Sequence, residues 1–376
     1  MHARLIVIGA GTTGLCLALE AARRTDPLSA PVILLAGSET TSPRLELCRH
    51  DLEGLGRALE ARHGLRFWSE LRARTGRDPG WNPCGAVVEE ISEDLPRGWA
   101  RLRELGVAVR REGEKIFDED AGTLDGERAR VCLETLAREA GAVIRGGEKA
   151  QELQAGSGQP LVVRTSGGEI TGDTVVLAGA GAIALTPGGP PELVAKTWTE
   201  RCHGEGQASI DLEDTTAAEP LVMDFLPSGE LNLASVADAF QERFGGAEPG
   251  RAGVRARVQG DLVAAPEQGG SLWVGSVDYD AERGALLAAR ALGESSPGEE
   301  RTHALWEGGD GSPIVGRVPG CEGVWVACGF GASAGLFAPA CAEGLAMRVL
   351  EETAGWFDDE SYDPARPAVN WPSRSR

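Results

Sequence analysis

The 376-residue chain lacks several features that would assign it to a function class at once. It has no uninterrupted apolar run long enough to cross a bilayer, and with five histidines and no H-E-x-x-H motif a metal centre is not expected. Positive charge is also scarce. Lysine and arginine number 37 against 57 aspartates and glutamates, and the net charge of −20 argues against nucleic acid and anionic membranes as partners. An apolar strand begins almost at Met1, so no signal peptide is expected and the acidic composition favours a cytoplasmic protein.

The cysteine spacing typical of a disulfide framework or a zinc site is missing as well. The eight cysteines are scattered without a C-x-x-C pair, at Cys16, Cys48, Cys84, Cys132, Cys202, Cys321, Cys328 and Cys341. We expect reduced thiols, most of them filling cores, rather than disulfide bonds.

What the chain does have is a glycine-rich motif close to its N-terminus, in the stretch LIVIGAGTTGLCLALEAARR at residues 5–24. The apolar, β-branched run at residues 5–8 is typical of a buried parallel strand, and an apolar helix follows the glycines. A second apolar strand at residues 32–35 completes one βαβ unit. Strand, G-x-G-x-x-G, helix and strand in this order are typical of dinucleotide-binding proteins.

Each glycine has a distinct role in this motif. Gly9 permits the tight turn, Gly11 lets a pyrophosphate approach the backbone, and Gly14 brings helix and strand close together. The phosphates would lie on the free N–H groups at the positive end of the helix. We therefore predict that a dinucleotide binds at Gly9, Ala10, Gly11, Thr12, Thr13 and Gly14.

One part of the motif is absent. An acidic residue normally closes the second strand and holds the adenosine ribose, but Ala36 and Gly37 stand there. Glu39 is the nearest carboxylate. It either reaches back to the ribose or is a solvated loop charge.

Two later strand ends are also rich in glycine. The text DTVVLAGAGAIAL runs from a buried strand into Ala178, Gly179 and Gly181, which indicates either a second backbone approach to the cofactor or a loop that closes the sheet. Near the C-terminus a strand at 324–328, a glycine turn and a helix at 336–351 repeat the N-terminal order. This segment is predicted to complete the first domain and to point another helix N-terminus at the same ligand.

The remaining patterns divide the chain into two intertwined domains, as its length also suggests. Residues 187–309 contain short alternating runs broken by Gly and Pro, typical of an antiparallel sheet with peripheral helices. Further elements are predicted as helices at 55–71, 93–105 and 124–140, strands at 85–91 and 107–110, and a hairpin of 161–165 with 174–178.

The segments VIGAGTTGLCLALEAARR, ARVCLETLAREAGAVI, DTVVLAGAGA and DGSPIVGRVPGCEGVWVACGFGASAGL together resemble the FAD-dependent amino-acid and amine oxidase family, which includes D-amino-acid oxidase, glycine oxidase and monomeric sarcosine oxidase. The resemblance implies an α/β fold. A Rossmann-like FAD-binding domain with a central parallel sheet (1–85, 125–186 and 310–356) accompanies an α+β substrate domain with an antiparallel sheet (86–124 and 187–309) and a C-terminal tail (357–376).

The resemblance also implies roles for residues outside the N-terminal motif. Ala150 matches the small apolar residue whose backbone contacts the adenine, and the alternative is an ordinary strand residue. Gly329 and Phe330 match the start of a loop near the flavin pyrimidine edge. That loop continues, without the family's usual histidine, through Gly331, Ala332, Ser333, Ala334 and Gly335.

Substrate anchors are where the chain departs from the family. In CRHDLEG, Arg49 matches an arginine that grips a substrate carboxylate close to the cofactor, a role that suits a guanidinium fork; the alternative is a residue on a solvated turn. Leu336 replaces a lysine of sarcosine-oxidase-like members. The segments LWEGGDGSP and Pro266–Glu267 lack the arginines of relatives. No cysteine lies just before Asp310, so FAD is expected to be non-covalent.

The implied chemistry is hydride transfer to flavin from a C–H next to a nitrogen of a small-molecule amine or imine, with oxygen as the usual electron acceptor. Such chemistry needs few acid–base side chains, and no catalytic residue is assigned. Trp198, Trp273 and Trp306 either line an apolar pocket or fill the core. Two alternatives remain open: a nicotinamide-dependent dehydrogenase, and a catalytically altered FAD- or nucleotide-binding protein of the same fold.

Overall fold

A computed structural model describes the chain in thirteen segments. They are residues 1–26, 30–37, 45–50, 57–89, 107–113, 115–156, 160–203, 256–259, 262–266, 272–277, 297–351, 362–369 and 371. Three predictions concern residues outside these segments: the ribose contact of Glu39, the helix at 93–105, and Glu267 of the pair Pro266–Glu267.

Strands outnumber helices throughout the described chain. The strands are β1 (His2–Ile8), β2 (Val32–Ala36), β3 (Leu45–Cys48), β4 (Trp81–Asn82), β5 (Ala86–Glu89), β6 (Val109–Glu112), β7 (Lys115–Asp118), β8 (Gly122–Asp125), β9 (Val143–Gly146), β10 (Ala150–Gln154), β11 (Leu161–Thr165), β12 (Gly168–Ala178), β13 (Leu193–His203), β14 (Ala256–Gln259), β15 (Leu262–Pro266), β16 (Leu272–Val277), β17 (Pro297–Gly308), β18 (Ile314–Arg317) and β19 (Val324–Cys328). The helices are α1 (Thr12–Arg24), α2 (Ala58–Thr75), α3 (Gly126–Glu139), α4 (Ala180–Ile183) and α5 (Ala334–Leu350).

The central sheet has the order β10-β11-β12-β1-β2-β9, with β19 beside β12 and β18 beside β19. Strand β1 pairs in parallel with both β2 and β12, and β12 pairs in parallel with β19. Because parallel strands end at the same edge, the glycines after β1, β12 and β19 meet there. The predicted hairpin forms with a nearer partner: β11 pairs antiparallel with residues 168–172 of β12, whereas residues 174–178 pair in parallel with β1 and β19.

Apolar helices cover this sheet. The buried face of α1 includes Leu15, Leu17 and Leu19, which belong to one core with α2, α3 and α5. Helix α3 begins later than predicted: Leu124 lies in β8, and the Asp125 side chain accepts hydrogen bonds from the Glu127 and Arg128 N–H groups. This side-chain cap ends the strand and starts the helix at Gly126.

A second sheet has the order β17-β13-β16-β15-β14-β5-β7-β6 and is antiparallel except for the β14–β5 pair. The predicted antiparallel sheet is thereby confirmed, together with the α/β fold class. A small sheet, β3-β8-β4, lies apart from both. The proposed domain boundaries stay a prediction.

Two chemical expectations can be compared with the structure. All eight cysteines are free thiols, and seven of them are buried. In the part of the chain that the structure describes, every helix is too short or too polar to reach across a bilayer.

Candidate functional site

A cavity of about 280 Å³ opens at the edge where the parallel strands end. Its wall includes most of the residues predicted to contact a dinucleotide: Gly9, Ala10, Gly11, Thr12, Thr13, Gly14, Ala150, Ala178, Gly179, Gly181, Gly329, Phe330, Gly331 and Ala334. Ala332, Ser333, Gly335 and Arg49 do not line it. The gathering of distant segments around one cavity is the observation, and the cofactor role of each residue stays a prediction.

Two glycines of the loop at residues 9–14, here called the glycine loop, are required by packing. Gly9 has φ of 112°, and a Cβ on it would overlap the Ala178 carbonyl oxygen. A Cβ on Gly14 would overlap the carbonyl oxygen of Gly9. At these contacts the backbones of β1, β12 and the start of α1 pack directly against one another, with no room for a side chain between them.

Gly11 is different, because no atom lies within 4 Å of the position that its Cβ would take. It is the N-cap of α1, with extended backbone and no capping side chain. The cavity therefore meets free N–H groups at a helix N-terminus, and the first turn carries no acidic residue that would compete with an anion.

Thr12 adds a hydroxyl to this group of donors. Its side chain is 3% exposed, and Oγ1 has no hydrogen-bond partner in the structure. A buried hydroxyl without a partner is unfavourable unless a ligand supplies one. The open position at Gly11 and the hydroxyl of Thr12 thus fit a phosphate group.

The cavity extends in two directions from the glycine loop. One end is lined by Gly37, Glu148, Lys149 and Ala150, where the Gly147 N–H donates to the Ala36 oxygen and holds the β9–β10 loop against β2. The other end is lined by Ala304, Leu305 and Trp306 of β17 together with Phe330. The second sheet thus supplies part of the wall.

The three tryptophans separate into two groups. Trp198 and Trp273 are buried in the second sheet, whereas Trp306 is 38% exposed and lines the cavity. The pocket hypothesis therefore applies to Trp306, and the core alternative to the other two.

The CRHDLEG segment does not reach the cavity wall with its described residues. Arg49 is half-buried after β3. His50 is buried, its N–H donates to Asp118 Oδ2 at 2.7 Å, and its Nδ1 lies 3.0 Å from Asp118 Oδ1. His50 is thus buried beside Asp118 and does not line the cavity.

Sequence reasoning missed Glu46, a buried carboxylate in β3. Its Oε2 accepts a hydrogen bond of 2.6 Å from the N–H of Gly335, in the first turn of α5. Burial raises the pKa of Glu46 to about 7; the Gly335 hydrogen bond opposes the shift, and the Glu200 carboxylate adds to it. The one available signal was an acidic residue inside the apolar run LELC.

Sequence reasoning also missed an ion pair beside Gly331, which lines the cavity. Glu307 of β17 packs against Gly331, and its Oε2 lies 2.6 Å from Nζ of Lys196. The positive charge of Lys196 is therefore paired with the Glu307 carboxylate beside the cavity.

Comparison with known proteins agrees with this geometry. A family model described as FAD dependent oxidoreductase, DAO, matches residues 4–348. Glycine oxidase from Geobacillus kaustophilus has a similar structure, with a TM-score of 0.71 and 17% identity over 97% of this chain and 99% of that chain. L-amino acid deaminase from Proteus vulgaris is also similar, with a TM-score of 0.73 and 15% sequence identity over 97% of each chain. Iminodiacetate oxidase from Chelativorans sp. BNC1 has a TM-score of 0.68 and 20% sequence identity over 96% of this chain and 99% of that chain. No curated protein matches the chain.

Proposed function

The chain belongs to the DAO family of FAD-dependent oxidoreductases, whose model matches it from residue 4 to residue 348, and on this premise we propose that it oxidises a small amine or imine. FAD, when bound, accepts a hydride from the C–H next to the substrate nitrogen. Oxygen is proposed to take the electrons from it. The nicotinamide alternative is set aside, because the family is FAD-dependent.

Residues of the cavity divide naturally among the parts of FAD. The glycine loop and Thr12 Oγ1 suit the pyrophosphate. The end at Gly37 and Ala150 then suits the adenosine, which leaves the end at Leu305 and Phe330 for the flavin ring and the substrate.

The observation that carries the substrate class is the apolar character of this second end. Among the described residues that line the cavity, Lys149 is the sole cation, and it lies at the adenosine end. Leu336, in the place of a family lysine, is buried in the core. A carboxylate beside Leu305 and Phe330 would lose hydration without gaining a paired cation from the described lining of the cavity, which is costly. A substrate recognised through its apolar part and its nitrogen fits better than an amino acid.

Flavin reduction without oxygen tests this proposal directly. A panel of glycine, sarcosine, D-alanine and larger apolar amines and cyclic imines is mixed with the purified yellow protein in a stopped-flow instrument. We expect a larger amine or imine to bleach the flavin at least ~100-fold faster than sarcosine or D-alanine, since the carboxylate anchors are missing. Hydrogen peroxide formed in air then identifies oxygen as the acceptor.

Two results would contradict the substrate proposal. Rapid bleaching by sarcosine or D-alanine, lost in Arg49→Ala, would restore an ordinary amino-acid oxidase with Arg49 as its anchor. Bound flavin that no amine or imine reduces would favour the catalytically altered binding protein.

The link between protein and FAD is a separate prediction. No cysteine lies just before Asp310, and Cys328, which lines the cavity, is fully buried with its pKa raised by burial to about 12. A protonated thiol is a poor nucleophile. Acid precipitation is therefore expected to release all flavin into the supernatant. Yellow colour retained in the washed pellet would show a covalent bond.

A further inference from the structure

Glu46 is a buried acid with one oxygen in use. Its side chain is 3% exposed, Oε2 accepts the Gly335 N–H, and Oε1 has no hydrogen-bond partner. Gly335 is the second residue of α5, so the carboxylate lies at the positive end of a 17-residue helix.

The surroundings of Glu46 offer apolar groups, thiols and a second acid. Leu124 of β8 is its cross-strand partner, and the Cys48 thiol lies on its own strand. From α1 comes the Cys16 thiol, whose pKa is raised chiefly by burial and further by the Glu20 and Glu46 carboxylates. From β13 comes the Glu200 carboxylate, which adds to the rise that burial causes in the pKa of Glu46. Glu200 itself faces His303, with Oε1 and Nε2 3.1 Å apart.

This arrangement lies one residue from the cavity. Ala334 lines the cavity and Gly335 follows it, while Gly331 and Phe330 line the end assigned above to the flavin ring. A helix N-terminus would stabilise negative charge in that end. An ionised Glu46 at the same N-terminus cancels this stabilisation.

We propose that Glu46 is a positioning residue that sets the charge at the N-terminus of α5 and thereby lowers the reduction potential of bound FAD. The inference rests on the proposed function, because it requires FAD in the cavity. Hydride transfer adds one unit of negative charge to the cofactor, and an adjacent carboxylate opposes that charge across a low-dielectric interior. A protonated Glu46 does not oppose it. The effect therefore increases as pH rises through about 7.

The test compares wild type with Glu46→Gln, which keeps an oxygen for the Gly335 N–H and removes the charge. Glu60→Gln is the matched control, because Glu60 is 2% exposed on α2 and does not line the cavity. Sulfite is the probe, since its adduct also places negative charge on the flavin, and equilibration with a redox dye gives the potential directly.

At about pH 8.5 we expect Glu46→Gln to bind sulfite about tenfold more tightly and to have a higher potential than wild type. At about pH 5.5 the two should differ by less than about twofold, because wild-type Glu46 is then protonated. Glu60→Gln should match wild type at both pH values. Equal sulfite affinity and potential for wild type and Glu46→Gln across this range, or an equal shift in Glu60→Gln, would overturn the proposal.

The folding stability of Glu46→Gln does not by itself test the proposed effect on the reduction potential. Because the pKa of Glu46 is raised on folding, its ionisation costs stability as pH rises from 4.5 through about 7, and Glu46→Gln should stabilise the fold at high pH whatever its redox role. If Glu46→Gln does not fold, Glu46→Ala removes the same charge and must also bind sulfite more tightly than wild type at about pH 8.5; equal affinity at that pH contradicts the proposal. Protein that cannot be loaded with FAD would refute the proposed function itself, whereas loaded protein that amines reduce but Glu46→Gln leaves unshifted refutes only this inference.

Discussion

A Gly11→Val variant is expected to fold and to bind no FAD. The Cβ position of Gly11 is free of neighbours within 4 Å, so the side chain enters the cavity rather than the protein core. There it takes the space into which a pyrophosphate must move to reach the N–H groups of α1. We expect FAD affinity to fall at least about 100-fold. Fold stability should fall by only about 1 kcal/mol, because valine caps a helix less well than glycine.

Flavin content and far-UV circular dichroism of the purified variant measure the two effects separately. Gly146→Val is the matched control, since Gly146 also has no atom within 4 Å of its Cβ position and does not line the cavity. The control should retain its flavin. A Gly11→Val protein with full flavin occupancy would show that the cofactor does not bind at the glycine loop.

Gly14→Ala, three residues further on, is expected to prevent folding. The added methyl group would overlap the carbonyl oxygen of Gly9, and that glycine is itself held against Ala178. The overlapping atoms are backbone atoms of Gly9, directly after β1, so they cannot yield as a flexible side chain would. We expect destabilisation above about 3 kcal/mol, a large part of the stability of an ordinary domain.

Soluble yield and thermal unfolding of the apo protein measure this loss, with Gly11→Ala as the control that adds the same methyl group within the same loop. The control should unfold within about 1 kcal/mol of wild type. Comparable unfolding of Gly14→Ala and wild type would mean that α1 and β1 are not in backbone contact. Adding FAD should not rescue Gly14→Ala, because the defect lies in the packing of the loop rather than in affinity.

The glycine loop was predictable because its chemistry is local. Strand, turn and helix follow one another within residues 2–24, and the spacing of the three glycines indicates that Gly9 and Gly14 pack closely whereas Gly11 has open space beside it. The strand ends at Ala178 and Gly329 were predictable for a related reason, since parallel strands in one sheet bring their carboxyl ends to one edge.

The bounds of α3 were less accessible. Periodicity starts the helix at Leu124, whereas the structure places Leu124 in β8 and starts the helix at Gly126. A strand pattern and a helix pattern overlap by a few residues here, and the N-cap formed by Asp125 determines where the strand ends and the helix begins. Both the strand and the helix bury Leu124 or its neighbours, so hydrophobicity alone does not separate them.

Glu46 shows what no local pattern could provide. By itself, the sequence determined the βαβ unit, the spacing of its glycines and the apolar strand ends, because each depends on residues a few positions apart. Only the tertiary structure decided that Glu46 is buried against the N–H of Gly335, 289 residues away, and that Arg49 lies off the cavity wall. A carboxylate in a short strand looks like any solvated charge until the fold removes its water, and burial then determines its pKa and its partner.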